Sequence, residues 1–125
     1  MILFDDFTME GKNPIYQQIV IYLKRRVAAG SITNGDELPS RRMLSALLSV
    51  NPNTVQKAYR ILEEEGLIQS HSGAKSVMVV DEETIARIRG QLAEEEAGQL
   101  VSAMRAMGIS REEAHRLIDR YWENG

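Results

Sequence analysis

The chain has 125 residues, with 15 Lys and Arg against 18 Asp and Glu, two His, no Cys and a formal net charge of −3. That length suits one compact domain, or a domain with a short appendage, and excludes a large multidomain enzyme. Without cysteine there is no disulfide scaffold, thiolate zinc site, iron–sulfur cluster or cysteine nucleophile, and a reducing, cytoplasmic setting is the expectation.

The start, Met1-Ile2-Leu3-Phe4-Asp5-Asp6, carries acids where a secretory signal needs bases and a longer apolar run. The longest apolar run is Ile19 to Leu23, against the roughly 20 residues of a membrane span. A soluble protein with no membrane partner is expected. After an extended start over Ile2 to Phe7, Asn13-Pro14 opens a helix over about 14–29, with Asn as cap and Pro at the first helical position. Ile15, Ile19, Leu23 and Val27 give its apolar stripe, and Gly30 ends it. Asn34-Gly35 forms a turn, Leu38-Pro39 is an extended pair, and Ser40 caps a short helix that runs through Leu48.

Asn51-Pro52 repeats the opening device for a third helix that runs to Glu65, with Gly66 as terminator. Its apolar face is Val55, Ala58, Tyr59 and Leu62, and the opposite face holds Asn53, Gln56, Lys57, Arg60 and Glu64. Leu67–Ser70 and Ser76–Val80 are β-prone stretches around His71-Ser72-Gly73-Ala74-Lys75, which reads as a hairpin. From Asp81 the composition shifts to Glu, Ala and Arg. A helical stripe of about 25 residues stops at Gly108, and Ser110-Arg111-Glu112-Glu113 is a capping box for a last helix. The expected fold is mainly α with a small β-hairpin: a winged helix-turn-helix over residues 1–80, then a two-helix C-terminal dimerisation hairpin over 81–125. Two such helices cannot bury their own stripes, so pairing with a second copy is favoured over packing as a lid in cis. Ile85, Ile88, Leu92, Leu100, Met104, Leu117, Tyr121 and Trp122 are the candidate dimer-interface residues.

Charge is unevenly divided. Residues 1–80 carry nine bases against eight acids (+1) and 81–125 carry six against ten (−4). Within the first part, 24–60 holds seven bases and two acids, a local +5 that suits a polyanion although the whole chain is acidic. In a helix-turn-helix the second helix enters the major groove with its N-terminal side chains on base edges. Asn53 and Gln56 are types that read adenine, while Lys57 and Arg60 reach guanine or phosphate. Arg41 and Arg42 open the short helix, where guanidinium groups beside free N–H groups suit phosphate. Lys75, with His71 and Ser72 beside Gly73, lies at the hairpin tip and is placed for the adjacent minor groove.

Several ordered motifs over about residues 12–79 resemble the GntR family of bacterial transcription regulators. They are Pro14-Ile15-Tyr16-Gln17-Gln18-Ile19, Gly35-Asp36-Glu37-Leu38-Pro39-Ser40-Arg41-Arg42, Asn51-Pro52-Asn53-Thr54-Val55 with Ala58-Tyr59, and Glu65-Gly66-Leu67-Ile68. The Asn-Pro-Asn-Thr-Val stretch and the short tail look like the YtrA-type subgroup. The resemblance implies a homodimeric winged-helix repressor on an inverted-repeat operator in double-stranded DNA. Relatives of that subgroup often control transporter genes. The resemblance also implies that Arg42 contacts DNA, that Asn53 and Thr54 occupy recognition-helix positions, and that Gly73 is the wing-tip glycine. The candidate DNA-binding set is therefore Arg41, Arg42, Asn51, Asn53, Thr54, Gln56, Lys57, Arg60, Ser72, Gly73 and Lys75. Many relatives carry arginine where this chain has Pro52 and Gln56, so base preference does not transfer. The usual wing sequence Gly-x-Gly-Thr-Phe-Val is here Gly73-Ala74-Lys75-Ser76-Val77-Met78, one glycine fewer and one cation more.

An enzyme is not expected, because no phosphate loop follows a strand and no nucleophile–base–orienter set is visible. No cofactor or metal is expected either. Glu112, His115 and Asp119 share a helix face, but they read more simply as members of surface i, i+4 pairs, and the Glu63–Glu65 and Glu94–Glu96 runs as solvated faces. The tail is too short for a dedicated pocket of several hundred cubic ångströms within one chain, which leaves the dimer interface for an unidentified small-molecule effector. The competing class is a winged-helix protein-interaction module without sequence-specific DNA binding, for which the acidic pI of 5.4 is the best support.

Overall fold

A computed structural model describes residues 1–71 and 75–125. In chain order the elements are α1 (Ile15–Ala28), β1 (Glu37–Leu38), α2 (Arg41–Leu48), α3 (Pro52–Glu64), β2 (Ile68–His71), β3 (Lys75–Met78), α4 (Glu82–Ala106) and α5 (Arg111–Asn124). The chain divides into two compact units, Met1–Arg89 and Gly90–Gly125. The division falls later than the composition shift at Asp81 because the first turns of α4 belong to the first unit. There Asp81 accepts the Thr84 N–H at 2.8 Å to start the helix, and Ile88 is only 1% exposed.

In the first unit the apolar stripes meet as their spacing dictates. Ile19, Leu23 and Val27 of α1, Leu44 of α2, and Val55, Ala58, Tyr59 and Leu62 of α3 form the core, closed by Leu38, Leu67, Ile68, Met78 and Ile88. The sheet is antiparallel in the order β1-β3-β2, with Leu38 and Ser70 on either side of Ser76. The extended Leu38-Pro39 pair thus ends a third strand, held by β3 rather than by its own sequence. Gly35 sits at φ +88°, where a side chain is strained, and its N–H donates to Met78 O at 2.8 Å, which turns the chain into β1. Pro14 serves as the N-cap of α1 itself, one residue later than expected, and Asn13 instead accepts from the Gln18 side chain.

The expected extended start bends at Phe4, which takes a left-handed φ of 55°. The Ile2 N–H donates to Glu37 O beside β1, and the buried Phe4 ring stacks on Tyr22 with centroids 5.0 Å apart. Asp6 then accepts hydrogen bonds from Tyr22 Oη and from Arg26 Nη1, the latter at 2.9 Å. The Tyr22 hydrogen bond, with the Arg26 charge beside it, holds the Asp6 carboxyl below its usual 3.8. Burial and the Asp6 contact push the Tyr22 phenol from 10.0 up to about 12. A lowered carboxyl stabilises the fold above its unfolded pKa and loses that contribution as pH falls through the folded value. A raised phenol stabilises below its unfolded pKa and loses that contribution as pH rises toward the folded one. Asp6→Asn is therefore expected to lower the melting temperature across neutral pH, with the gap to the parent narrowing in acid below the carboxylate range and in alkali above about pH 10. Thermal melts across pH check this, and a gap constant at every pH contradicts it.

In the second unit, Ser110 caps α5 by accepting the Glu113 N–H at 3.2 Å, the serine half of the expected capping box. No residue of α5 is buried.

Candidate nucleic-acid interface

The helix-turn-helix is set by two caps and one turn. Ser40 Oγ accepts the Met43 N–H to start α2, and Asn51 Oδ1 accepts the Asn53 N–H at 2.8 Å to start α3, where Pro52 occupies the first turn. Between them Ser49 takes φ 55°, and Ser45 Oγ donates to Val50 O at 2.7 Å, fixing the sharp turn. The buried Tyr59 hydroxyl donates to Pro39 O at 2.7 Å, so α3 is pinned in rotation about its axis. Burial holds this phenol in its protonated, donating form.

With Val55, Ala58, Tyr59 and Leu62 turned inward, α3 presents Asn53, Gln56, Lys57 and Arg60 to solvent, all four exposed. Lys57 Nζ lies 4.0 Å from the centre of the Tyr16 ring, a cation–π contact that seats its head beside the N-terminal end of α1. Arg42 is exposed at the start of α2, and His71 and Lys75 are exposed where β2 ends and β3 begins. These residues combine an amide-bearing reading helix with cations on two neighbouring elements, the distribution of types that base edges and phosphates require. Ser72 and Gly73 lie outside the described residues.

Three sequence expectations change. Arg41 is not presented outward: its Nη2 lies 2.6 Å from Glu63 Oε1, its guanidinium sits 5.1 Å from the Tyr59 ring centre, and its Nε is buried without a partner among the described residues. Asn51 has its side-chain oxygen committed to the helix cap, and Thr54 is half-buried behind it. The local +5 is also smaller than it reads. Lys24 pairs with Glu65 at 2.8 Å, Arg26 with Asp6 and Arg41 with Glu63, and all three acids lie outside the 24–60 window. Glu63 and Glu65 are thus partnered rather than members of a solvated face. Arg42, Lys57 and Arg60 carry no ion pair among the described residues.

On the C-terminal side, Ile88 is already committed to the core of its own unit and is withdrawn from the candidate dimer face. Ile85, Leu92, Met104 and Leu117 are half-buried, and Leu100, Tyr121 and Trp122 are exposed, Trp122 at 84%. Met107 and Ile118, on the same apolar stripes, are exposed too, and so is Val101, which the helical periodicity does not single out. Contrary to the expectation that one chain is too small for such a space, Leu100, Val101, Met104, Ile109, Ala114 and Ile118 help line an open groove of about 480 Å³ within the second unit. Glu112, His115 and Asp119 do not gather into a group able to hold a metal ion among the described residues.

Three helices followed by a β-hairpin, with an amide- and cation-bearing face on the third helix, define a winged helix-turn-helix of the nucleic-acid-binding kind. Residues 15–77 match the family described as bacterial regulatory proteins, gntR family. The chain belongs to the GntR family, whose members are transcription regulators with a DNA-binding helix-turn-helix rather than enzymes. It is similar to the HTH-type transcriptional repressor YtrA of Bacillus subtilis (strain 168), at 34% identity over 86% of this chain and 84% of that one. The similarity to the HTH-type transcriptional regulator YhcF of the same organism is 28% over 96% of this chain and 99% of that one. Among solved structures, a GntR family transcriptional regulator from Listeria monocytogenes superposes with a TM-score of 0.77 at 31% identity, covering 90% of this chain and 98% of the other.

Proposed function

We propose that this regulator is a repressor that binds an inverted-repeat operator as a homodimer joined through its C-terminal helices. In this reading the two copies of α3 lie in successive major grooves on one face of the duplex, about 34 Å apart. The observation that carries the DNA reading is the outward row Asn53, Gln56, Lys57 and Arg60, opposite a buried face that leaves the helix no other orientation. Pairing is supported by α5, none of whose residues is buried although it bears Ile118, Tyr121 and Trp122. A helix of 14 residues with its apolar side in water is marginal alone and gains by finding a partner surface. The name of the YtrA relative supports the sign of regulation.

Selection of bound sites from random duplex DNA, followed by a salt titration on the winning site, tests the reading. The expected result is a two-fold symmetric site with half-sites about one helical turn apart, bound with an affinity that falls steeply as salt rises, by a slope of about 0.9 per phosphate contacted. Unsymmetrical sites contradict the dimer. Absence of enrichment, together with salt-independent capture of a protein partner, favours an interaction module instead.

A further inference from the structure

The last turn of α3 carries Glu63 and Glu64 and no base, and Glu65 follows as its C-cap, which places negative charge at the negative end of the helix dipole. Glu65 is offset by Lys24 of α1. Glu63 is offset differently, because one of its oxygens, Oε1, accepts both Arg41 Nη2 and Ser70 Oγ at 2.6 Å. Ser70 in turn lies 3.0 Å, oxygen to oxygen, from Ser76, its register partner across the β2–β3 pair, and Ser76 is buried. The proton directions follow from chemistry: an ionised carboxylate only accepts, so Ser70 spends its single proton on Glu63 and must accept from Ser76. The result is a directed chain, Ser76 to Ser70 to Glu63, closed from the other side by Arg41. It joins α2, α3 and both strands of the hairpin through side chains alone. Charge-assisted bonds of this length are the strong kind and hold the members of the chain to one geometry, although Arg41 Nε has no partner among the described residues.

We infer that Glu63 is a positioning residue: it hooks the β2–β3 hairpin onto the recognition helix and so fixes where Lys75 meets DNA, with Arg41 as its counter-charge rather than as a phosphate contact. This rests on the DNA-binding reading above. It assigns opposite jobs to two adjacent arginines, Arg42 outward to the duplex and Arg41 inward to Glu63. It also gives a role to an acid placed beside the proposed DNA-facing side of α3.

The test is a coupling measurement on the selected operator with full-length protein. Lys75→Ala is expected to weaken binding roughly tenfold in the parent, the scale of one charge-assisted contact. In a Ser70→Ala or Glu63→Ala background, where the hairpin is unhooked, the same change is expected to cost less than about twofold, because coupled residues are not additive. Ser70→Thr, which keeps the hydroxyl, is expected to restore the full Lys75 effect. Arg41→Gln is expected to weaken specific binding while keeping the parental salt slope within about 0.3, whereas Arg42→Ala lowers that slope by about 0.9. Melting temperatures confirm that each variant is folded. Undiminished Lys75 effects in both backgrounds, or a salt slope lowered by Arg41→Gln as much as by Arg42→Ala, overturn the inference and leave the DNA reading intact. A Lys75→Ala protein that binds like the parent while Arg42→Ala still fails shows the hairpin away from the duplex and overturns it as well. Loss of all DNA binding by the parent overturns both.

Discussion

A chain ended after Arg89 is expected to bind the operator at least a hundredfold more weakly than the full chain while keeping a cooperative melting transition. The cut is chosen from the core. Ile88 is buried in the first unit, so a deletion from Asp81 onward would open the core and confuse unfolding with loss of pairing. Ending after Arg89 keeps Ile88 and the Asp81 cap and removes Leu100, Val101, Met107, Ile118, Tyr121 and Trp122, the large exposed apolar side chains of the second unit. If those groups pair two copies, the second half-site is met at an effective concentration set by the tether, and losing the tether forfeits roughly 10²–10⁴ in avidity. Titration by fluorescence anisotropy checks the affinity, and sedimentation checks that the parent is a dimer and the shortened chain a monomer. A shortened chain as tight as the parent would falsify the model of paired reading heads.

The second large effect separates positioning from reading. Arg42→Ala is expected to weaken specific and random DNA alike and to lower the salt slope by about one, because an exposed guanidinium at a helix start meets phosphate whatever the sequence. Asn53→Ala or Gln56→Ala is expected to leave random DNA nearly untouched and to cost roughly 1–3 kcal/mol of discrimination at one base pair of each half-site. In a symmetric complex that change enters twice, so each substitution falls on operator binding with up to double weight. Competition binding against a panel of single-base operator variants gives the comparison. Equal losses on specific and random DNA from all three variants contradict the division of labour.

Where the physics was local, the sequence carried it. Caps at Ser40, Asn51 and Ser110 and the two-sided pattern of α3 act within one or two turns, so helix bounds and the outward residues could be read before any tertiary contact was known. What escaped was non-local. Strand β1 is two residues long and is held by β3 beside it, and the left-handed backbone of Phe4 goes with a ring contact to Tyr22, 18 positions later. The inward turn of Arg41 depends on Glu63 and Ser70, 22 and 29 positions away, and nothing in the spacing of a Glu-Glu-Glu run distinguishes its first member. Ile88 looked like its neighbours on the α4 stripe, and only the packing of the first unit separates it from them.

The shape of the small sheet bears on how copies of this protein meet when crowded. Its β1 edge is two residues long and has Ile2 hydrogen-bonded alongside, and the β2 edge presents Gln69, Ser70 and His71, all polar and exposed. Short, hydrophilic margins are poor templates for strand addition. Copies at high local concentration are therefore steered away from ribbon-like polymerisation through the sheet.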